Sequence, residues 1–308
     1  MVLFRTTIVS FACLFCCLVQ GKAQSTYTYE KGQRTDSLTT VSRNLPWIAA
    51  GTAVAYTSGL MLLNEAWYKD SPRSSFHWFN DAHEWKQLDK AGHAWGSFHL
   101  SRLGVDVLRA AGVSEKKAVW YGGAVGFAML TPIEYFDGRS PTYGASLSDI
   151  AANATGSLLV IGQQLAWQEL RIVPKYSFHR TRYAAFRPNL LGNGLAEEML
   201  KDYNGHTYWL SVDVAKFLPA SSSYPKWLNV APGYGAEEMV YNDPDSNRAA
   251  GFHAYRQYYL SVDLNWKAIP TQSKFLKSTF YVLSIFKFPA PALEYNRRQG
   301  WKAHALYF

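Results

Sequence analysis

The spacing of apolar and polar positions changes part-way along the chain. Between about residue 88 and residue 170, apolar and small residues recur every three to four positions, as in helices with one buried face. Three stretches carry that period: about 88–111, about 116–134, broken near Pro132, and about 147–170. Near Pro174 the period becomes two. In "YYLSVDLNWK" Tyr258, Leu260, Val262, Leu264 and Trp266 alternate with Tyr259, Ser261, Asp263, Asn265 and Lys267, which predicts a strand with one wet face. "YWLSVDV", residues 208–214, is nearly the same string, which predicts paired or equivalent strands. "KWLNVAPGYGAEEMVY", "STFYVLSIFKF" and "WKAHALYF" read as further strands, about six in all. Phe308 closes the last alternating run, like the ends of outer-membrane barrel proteins. His304 breaks its apolar face, however, and a closed barrel needs about eight strands. The expectation is a β-rich domain, with a barrel as the alternative.

Ahead of these elements the pattern is less regular. "LPWIAAGTAVAYTSGLMLL", residues 45–63, carries no charge over 19 residues and is a candidate membrane helix, with a buried bundle helix as its rival. "SSFHWFNDAHEWKQLDK" mixes Phe76, Trp78, Phe79 and Trp85 with Asp81, Glu84 and Lys86, as an amphipathic interfacial segment would. The fold class expected is α+β: an N-terminal helical bundle with membrane-type helices, followed by a β-rich C-terminal domain.

The opening residues change the count of usable chemistry. Arg5, the apolar run "TIVSFACLFCCLV" and the small residues Gly21 and Ala23 have the form of a secretory signal peptide cut after Ala23. Cys13, Cys16 and Cys17 all fall inside it, without the context of an acylated cysteine. The mature chain is therefore expected to have no disulfide, thiol, Cys–zinc site or N-terminal lipid. The domains expected are 1–23 signal peptide, 24–42 linker, 43–174 helical domain and 175–308 β-rich domain.

Removing Arg5 and Lys22 with the leader lowers the formal charge from +8 to +6. The remaining basic residues are scattered among aromatic ones. That suits an anionic membrane surface better than nucleic acid, for which no motif is present. Aromatics form 16% of the chain, a richness found where rings sit at a lipid–water boundary, or in a large aromatic core.

Ionisable residues then appear where helices should be tightly packed. On a helix Asp89, His93 and Ser97 share one arc, bordered by Gly92 and Gly96. The next stretch holds Gly122 and Gly126 and ends in Glu134. The last holds Ala152 and Gly156, with Asp149 and Asn153 on the same side. Small residues four apart let helix backbones approach closely. The candidate catalytic residues are Asp89, His93, Glu134 and Asp149, and the candidate binding residues are Lys90, Arg139 and Asn153. Arg139 is placed to neutralise one of the carboxylates.

Three uses of such a cluster compete. It is a structural polar network that fixes helix register. Alternatively it is an acid–base or metal-assisted hydrolytic site with His93 as base or ligand, although one clustered histidine is thin for zinc. The third use is recognition of an envelope lipid or glycan head group without chemistry. No cofactor is expected, the metal is unknown, and protein partners are unknown. "HEWKQ" at His83 lacks the second histidine of H-E-x-x-H, "GNG" at Gly192 lacks the strand and third glycine of a dinucleotide site, and "GASLS" at Ser146 is no nucleophile elbow. Ser146 and Ser148 read instead as caps of the helix that Asp149 opens.

"LDKAGHAWGSFHLSRL", followed by "PIEYFDGRSPTYGASLSDIAANATGSLL", resembles the YfiM family of predicted periplasmic lipoproteins and, more distantly, the VanZ-like membrane proteins. Shared are Asp89, Lys90 and His93 on one helix, then Glu134, then Asp149, Asn153 and Gly156. The resemblance implies a helical envelope domain over roughly residues 76–170 and assigns no chemistry. The leading expectation is a membrane-associated envelope protein with a structural or binding role; the alternative is a hydrolase or transferase acting on envelope lipid or cell-wall precursors.

Overall fold

The computed structural model describes Gly51, residues 56–58, Met61 and residues 73–308. The signal peptide and the linker lie outside the described residues, as does residues 45–63 apart from those few positions. The chain divides into two compact units: Gly96–Ala166 with the residues up to Phe79, and Asn80–Trp95 with Trp167–Phe308.

The helical unit is built from α1 (Leu88–Ala110, of which residues from Gly96 belong to it), α2 (Val125–Asp137) and α3 (Leu147–Trp167). α2 continues through Pro132, where a break was expected. The irregularity falls earlier, in a π-type turn over Ala118–Gly122. Glycine sets the packing distance. A Cβ on Gly126 would lie 2.0 Å from the Ser97 carbonyl oxygen, and one on Gly122 2.5 Å from the Val105 nitrogen.

The expectation of membrane-type helices is overturned: among the described residues no helix is long and apolar enough to cross a membrane. The physical reason is the set of polar residues on the packed faces. Ser97, Ser101 and Arg102 interrupt α1, and Asp149, Asn153, Ser157, Gln163 and Gln164 interrupt α3, all of them buried. The segment expected to be amphipathic and interfacial is irregular up to a 3-10 turn at Glu84–Gln87, in which Trp85 and Lys86 take left-handed backbone angles.

The second unit is a six-stranded antiparallel meander, in the order β1 (Ile172–Phe178), β2 (His206–Val212), β3 (Leu228–Glu237), β4 (Tyr255–Leu264), β5 (Ala290–Asn296) and β6 (Gly300–Tyr307). The near-identical strings at 208 and 258 are equivalent strands, since β2 and β4 both pair with β3. "STFYVLSIFKF" begins instead as the end of an amphipathic helix, α4 (Lys274–Leu283), capped by the Ser273 hydroxyl.

The alternation on β4 has the opposite sense from that expected. Gln257, Tyr259, Ser261 and Asp263 are buried, and Tyr258, Leu260 and Val262 are exposed. A period of two fixes which residues share a face and leaves open which face is covered. The covered face combines a cluster of Trp209, Ala231, Tyr259 and Ala292 with polar groups that bond one another. Lys175 on β1 forms an ion pair with Asp263 on β4 at 2.6 Å, with both side chains almost wholly buried. Ser211 donates to Asp263 at 2.6 Å, and Asn229 to Ser211 at 2.9 Å. On β2 and β6, Thr207 and Tyr307 meet at 3.2 Å. At about 4.8 Å per strand, a flat sheet would hold β1 and β4, three places apart, about 14 Å from each other, and β2 and β6, four places apart, about 19 Å. The sheet is therefore strongly curled, polar side inward. His304 turns inward too, to Glu294 at 2.7 Å, beside a register shift between Ala290 and Ala292.

Candidate functional site

In the helical unit two acids are held together by a loop and a cap. Glu134 lies near the end of α2, and its Oε2 accepts the backbone N–H of Ser146 at 3.0 Å. Ser146 then caps α3 as its sequence position suggests, its hydroxyl accepting the N–H of Asp149 at 3.1 Å. The result brings carboxylate oxygens of Glu134 and Asp149 within 4.8 Å of each other, both side chains buried. Two carboxylates that close in a low-dielectric interior repel each other, and protons, cations or donated hydrogen bonds lower that repulsion.

The surroundings are ordered by hydroxyls. Ser97 donates to the Asn153 carbonyl at 2.5 Å, and Ser157 lies within hydrogen-bonding distance of both Ser97 and Ser101. The same hydroxyls of Ser101 and Ser157 accept the N–H groups of Gly126 and Phe127, at 3.0 and 2.9 Å. They thereby satisfy the open N-terminus of α2, which has no cap of its own. Helical spacing puts Ser97 and Asn153 on the packed faces, and Ser101 and Ser157, absent from the candidates above, stand four residues further along each helix. That four-residue repeat was the available signal. Arg139 is half-buried just past α2.

The remaining candidates, Asp89, Lys90 and His93, stand on the first turns of α1, in the sheet unit. Lys90 is paired with Asp81 at 2.5 Å and with Asp89 at 2.6 Å. Asp81 and Asp89 offer oxygens within 4.8 Å of each other, but the Lys90 ammonium already serves as their cation. A metal ion would have to displace it, so this cluster fits an internal ion pair better than a metal site. Nearby, Glu84 accepts from Asn242 at 2.8 Å, and burial raises its pKa above the ordinary glutamate value.

The sheet unit also holds a polar cavity of about 550 Å3, for which no local sequence pattern is a signal. Glu294 forms part of its lining, bonded to His304 and to Gln257 at 3.0 Å. Arg180, bidentate on Glu198 at 2.6 Å, and Arg298, paired with Glu238, also line it. His179 beside them has its pKa lowered, chiefly by burial.

Residues 75–161 match the family model described as "Predicted periplasmic lipoprotein (DUF2279)". The matched stretch contains Asp89, Lys90, His93, Glu134, Arg139, Asp149 and Asn153 and leaves all six strands outside. On that match the chain is an exported, membrane-associated protein of the bacterial cell envelope. The likeness to VanZ-like proteins finds no support in it. No curated protein and no solved structure matches the chain.

Proposed function

We propose that the protein is a binding component of the envelope, and that the Glu134–Asp149 pair takes a cationic group. That group is either the ammonium of a lipid or glycan head group, or a divalent ion bridging to one. The supporting observation is the approach of two buried carboxylates from different helices to within 4.8 Å. A proton, a cation or donated hydrogen bonds relieve the repulsion of such a pair, and a ligand that supplies a cation there stabilises the fold in proportion to its affinity. The grouping of Asp89 and His93 with the pair, drawn from the sequence, is carried into this reading and is decided by the same test.

The test is thermal melting of the full chain with calcium, magnesium, zinc or ethanolamine added. At a concentration 100 times Kd, a bound ligand adds about 2.7 kcal/mol. The expected result is a rise in Tm with one of these ligands that is lost in Glu134→Gln and in Asp149→Asn. Loss in His93→Gln or Asp89→Asn as well would bring those residues into the site. A melting curve indifferent to all four additives would leave the pair as a proton-sharing structural contact. The hydrolase or transferase alternative requires turnover of an envelope lipid or wall precursor that the Glu134→Gln chain no longer supports.

A further inference from the structure

The outward face of the sheet is ordered in rows. Tyr176 pairs with Tyr208, Tyr208 with Tyr234, Tyr234 with Tyr258, Tyr258 with Tyr295, and Tyr295 with Trp301. One aromatic ring thus stands at the same level on every strand. Next along the strands comes an aliphatic row, in which Pro174 pairs with Leu210, Pro232 with Leu260, Leu260 with Leu293, and Leu293 with Ala303. Beyond it Ile172 pairs with Val212, Val212 with Val230, and Val230 with Val262. Leu228 and Leu264 follow. From the aromatic row to Leu264 no outward position carries a charge.

This face is not a core. Leu260 is 53% exposed, Leu210 46% and Leu293 41%. The aromatic row on β1 to β3 is covered by Gly92 and Trp95 from the start of α1 and by the Lys86 carbonyl of the turn before it, and Pro174 on β1 is buried too. At about 3.3 Å per residue, the bare band from Tyr258 to Leu264 is about 20 Å tall.

We propose that this band is immersed in the acyl-chain layer of a membrane, with the aromatic row at the level of the lipid head groups. A water-soluble sheet places its polar side chains on the solvent side. This one turns Lys175, Asp263, Ser211 and Asn229 toward each other and its aliphatic residues outward. Sheets in lipid have that polarity, with aromatic belts bounding an apolar band roughly 25 Å tall. A protein partner would be expected to meet a polar rim around an apolar centre, whereas these rows run uniformly across the strands. In lipid the edge strands β1 and β6 must find hydrogen-bond partners; the inference stands apart from the carboxylate pair.

Site-directed spin labelling tests it. With the native Cys13, Cys16 and Cys17 replaced by serine, Leu210→Cys, Leu260→Cys, Leu293→Cys and Ser221→Cys each give the full chain a single thiol. The labelled full chain is mixed with vesicles of phosphatidylethanolamine and phosphatidylglycerol and floated on a density gradient. The expected result is co-flotation, with labels at 210, 260 and 293 losing collisions with a water-borne nickel chelate and retaining those with oxygen. The label at 221, in an exposed loop, keeps the nickel collisions. The double variant Leu260→Lys/Leu293→Lys, altering only exposed positions, is expected to keep its circular dichroism and stop floating. Nickel accessibility at 260 equal to that at 221 would overturn the proposal, as would flotation of the double lysine variant. Failure of the wild-type chain to float, or spin–spin broadening at 260 from a second copy in lipid-free solution, would overturn it too.

Discussion

The helical unit and the sheet unit both bury polar residues, but they bury different kinds. Inside the helices the buried contacts are mainly hydroxyl to backbone: Ser97 to Asn153, Ser101 to Gly126 and Ser157 to Phe127. These close gaps left where α2 begins without a cap and where Gly126 brings two backbones into contact. Inside the sheet the backbone is already satisfied by the ladder, so buried side chains bond one another, up to a complete Lys175–Asp263 ion pair. Polar burial thus repairs the backbone in one unit and holds a curled sheet's inner face together in the other.

The sheet should be the more sensitive to loss of a single group. Asp263→Ala strands the Lys175 ammonium and removes the acceptor of Ser211, and breaking a buried pair in this way costs about 3–5 kcal/mol. Replacing both partners, as Lys175→Met/Asp263→Leu, is expected to recover most of that loss, because neither charge then remains to be desolvated. Melting of the full chain in detergent, followed by tryptophan fluorescence, reads both. A double variant no better than Asp263→Ala would mean that the pair specifies the curl of the sheet beyond balancing its own charge.

In the helical unit the matching weak point is steric. Gly126→Ala places a methyl 2.0 Å from the Ser97 carbonyl oxygen, and the helices must separate, at about 1–3 kcal/mol or more. Gly162→Ala on α3 meets nothing within 4 Å and is expected to be neutral or to stabilise by up to about 1 kcal/mol, since alanine is the better helix former. Equal melting points for the two variants would remove the seam from the account. Ser157→Ala comes next, at about 1–3 kcal/mol, because it leaves the Phe127 N–H without its acceptor.

The same contrast explains what the sequence disclosed. Strand alternation around Tyr258 and Tyr208 was plain, and both strings are strands. The direction of burial was not, because alternation carries period without sign; only the sheet's curl shows that Ser261 and Asp263 face inward. The helices at Leu88 and Leu147 and the cap at Ser146 followed from local spacing and chemistry. The approach of Glu134 to Asp149 depends on the turn between α2 and α3, whose path no local rule supplies. α4 was missed because its β-branched and aromatic end, "STFYVL", fits a strand as well as a helix. The polar cavity joins residues from 179 to 302 and had no sequence signal at all.

The smallest expected effect separates burial from pairing at Glu84. Its pKa is raised above the ordinary 4.5, first by burial and then against the hydrogen bond from Asn242, with Asp81 adding to the rise and Lys90 opposing it. A carboxyl with a raised folded pKa holds its proton more tightly in the native state than in the unfolded chain. Its contribution to stability is therefore greatest below about 4.5 and is lost as pH rises through the raised value. Glu84→Gln keeps an acceptor for Asn242 and abolishes the titration. The wild-type chain is expected to lose melting temperature relative to Glu84→Gln on going from pH 4.5 to pH 7, by a modest amount because the side chain is only partly buried. The opposite trend, with the wild type gaining on the variant as pH rises, would mean that Lys90 reaches past Asp81 and Asp89 to hold the Glu84 charge as well. The three acids and one lysine would then form a single network in place of an ion pair beside a separate carboxyl.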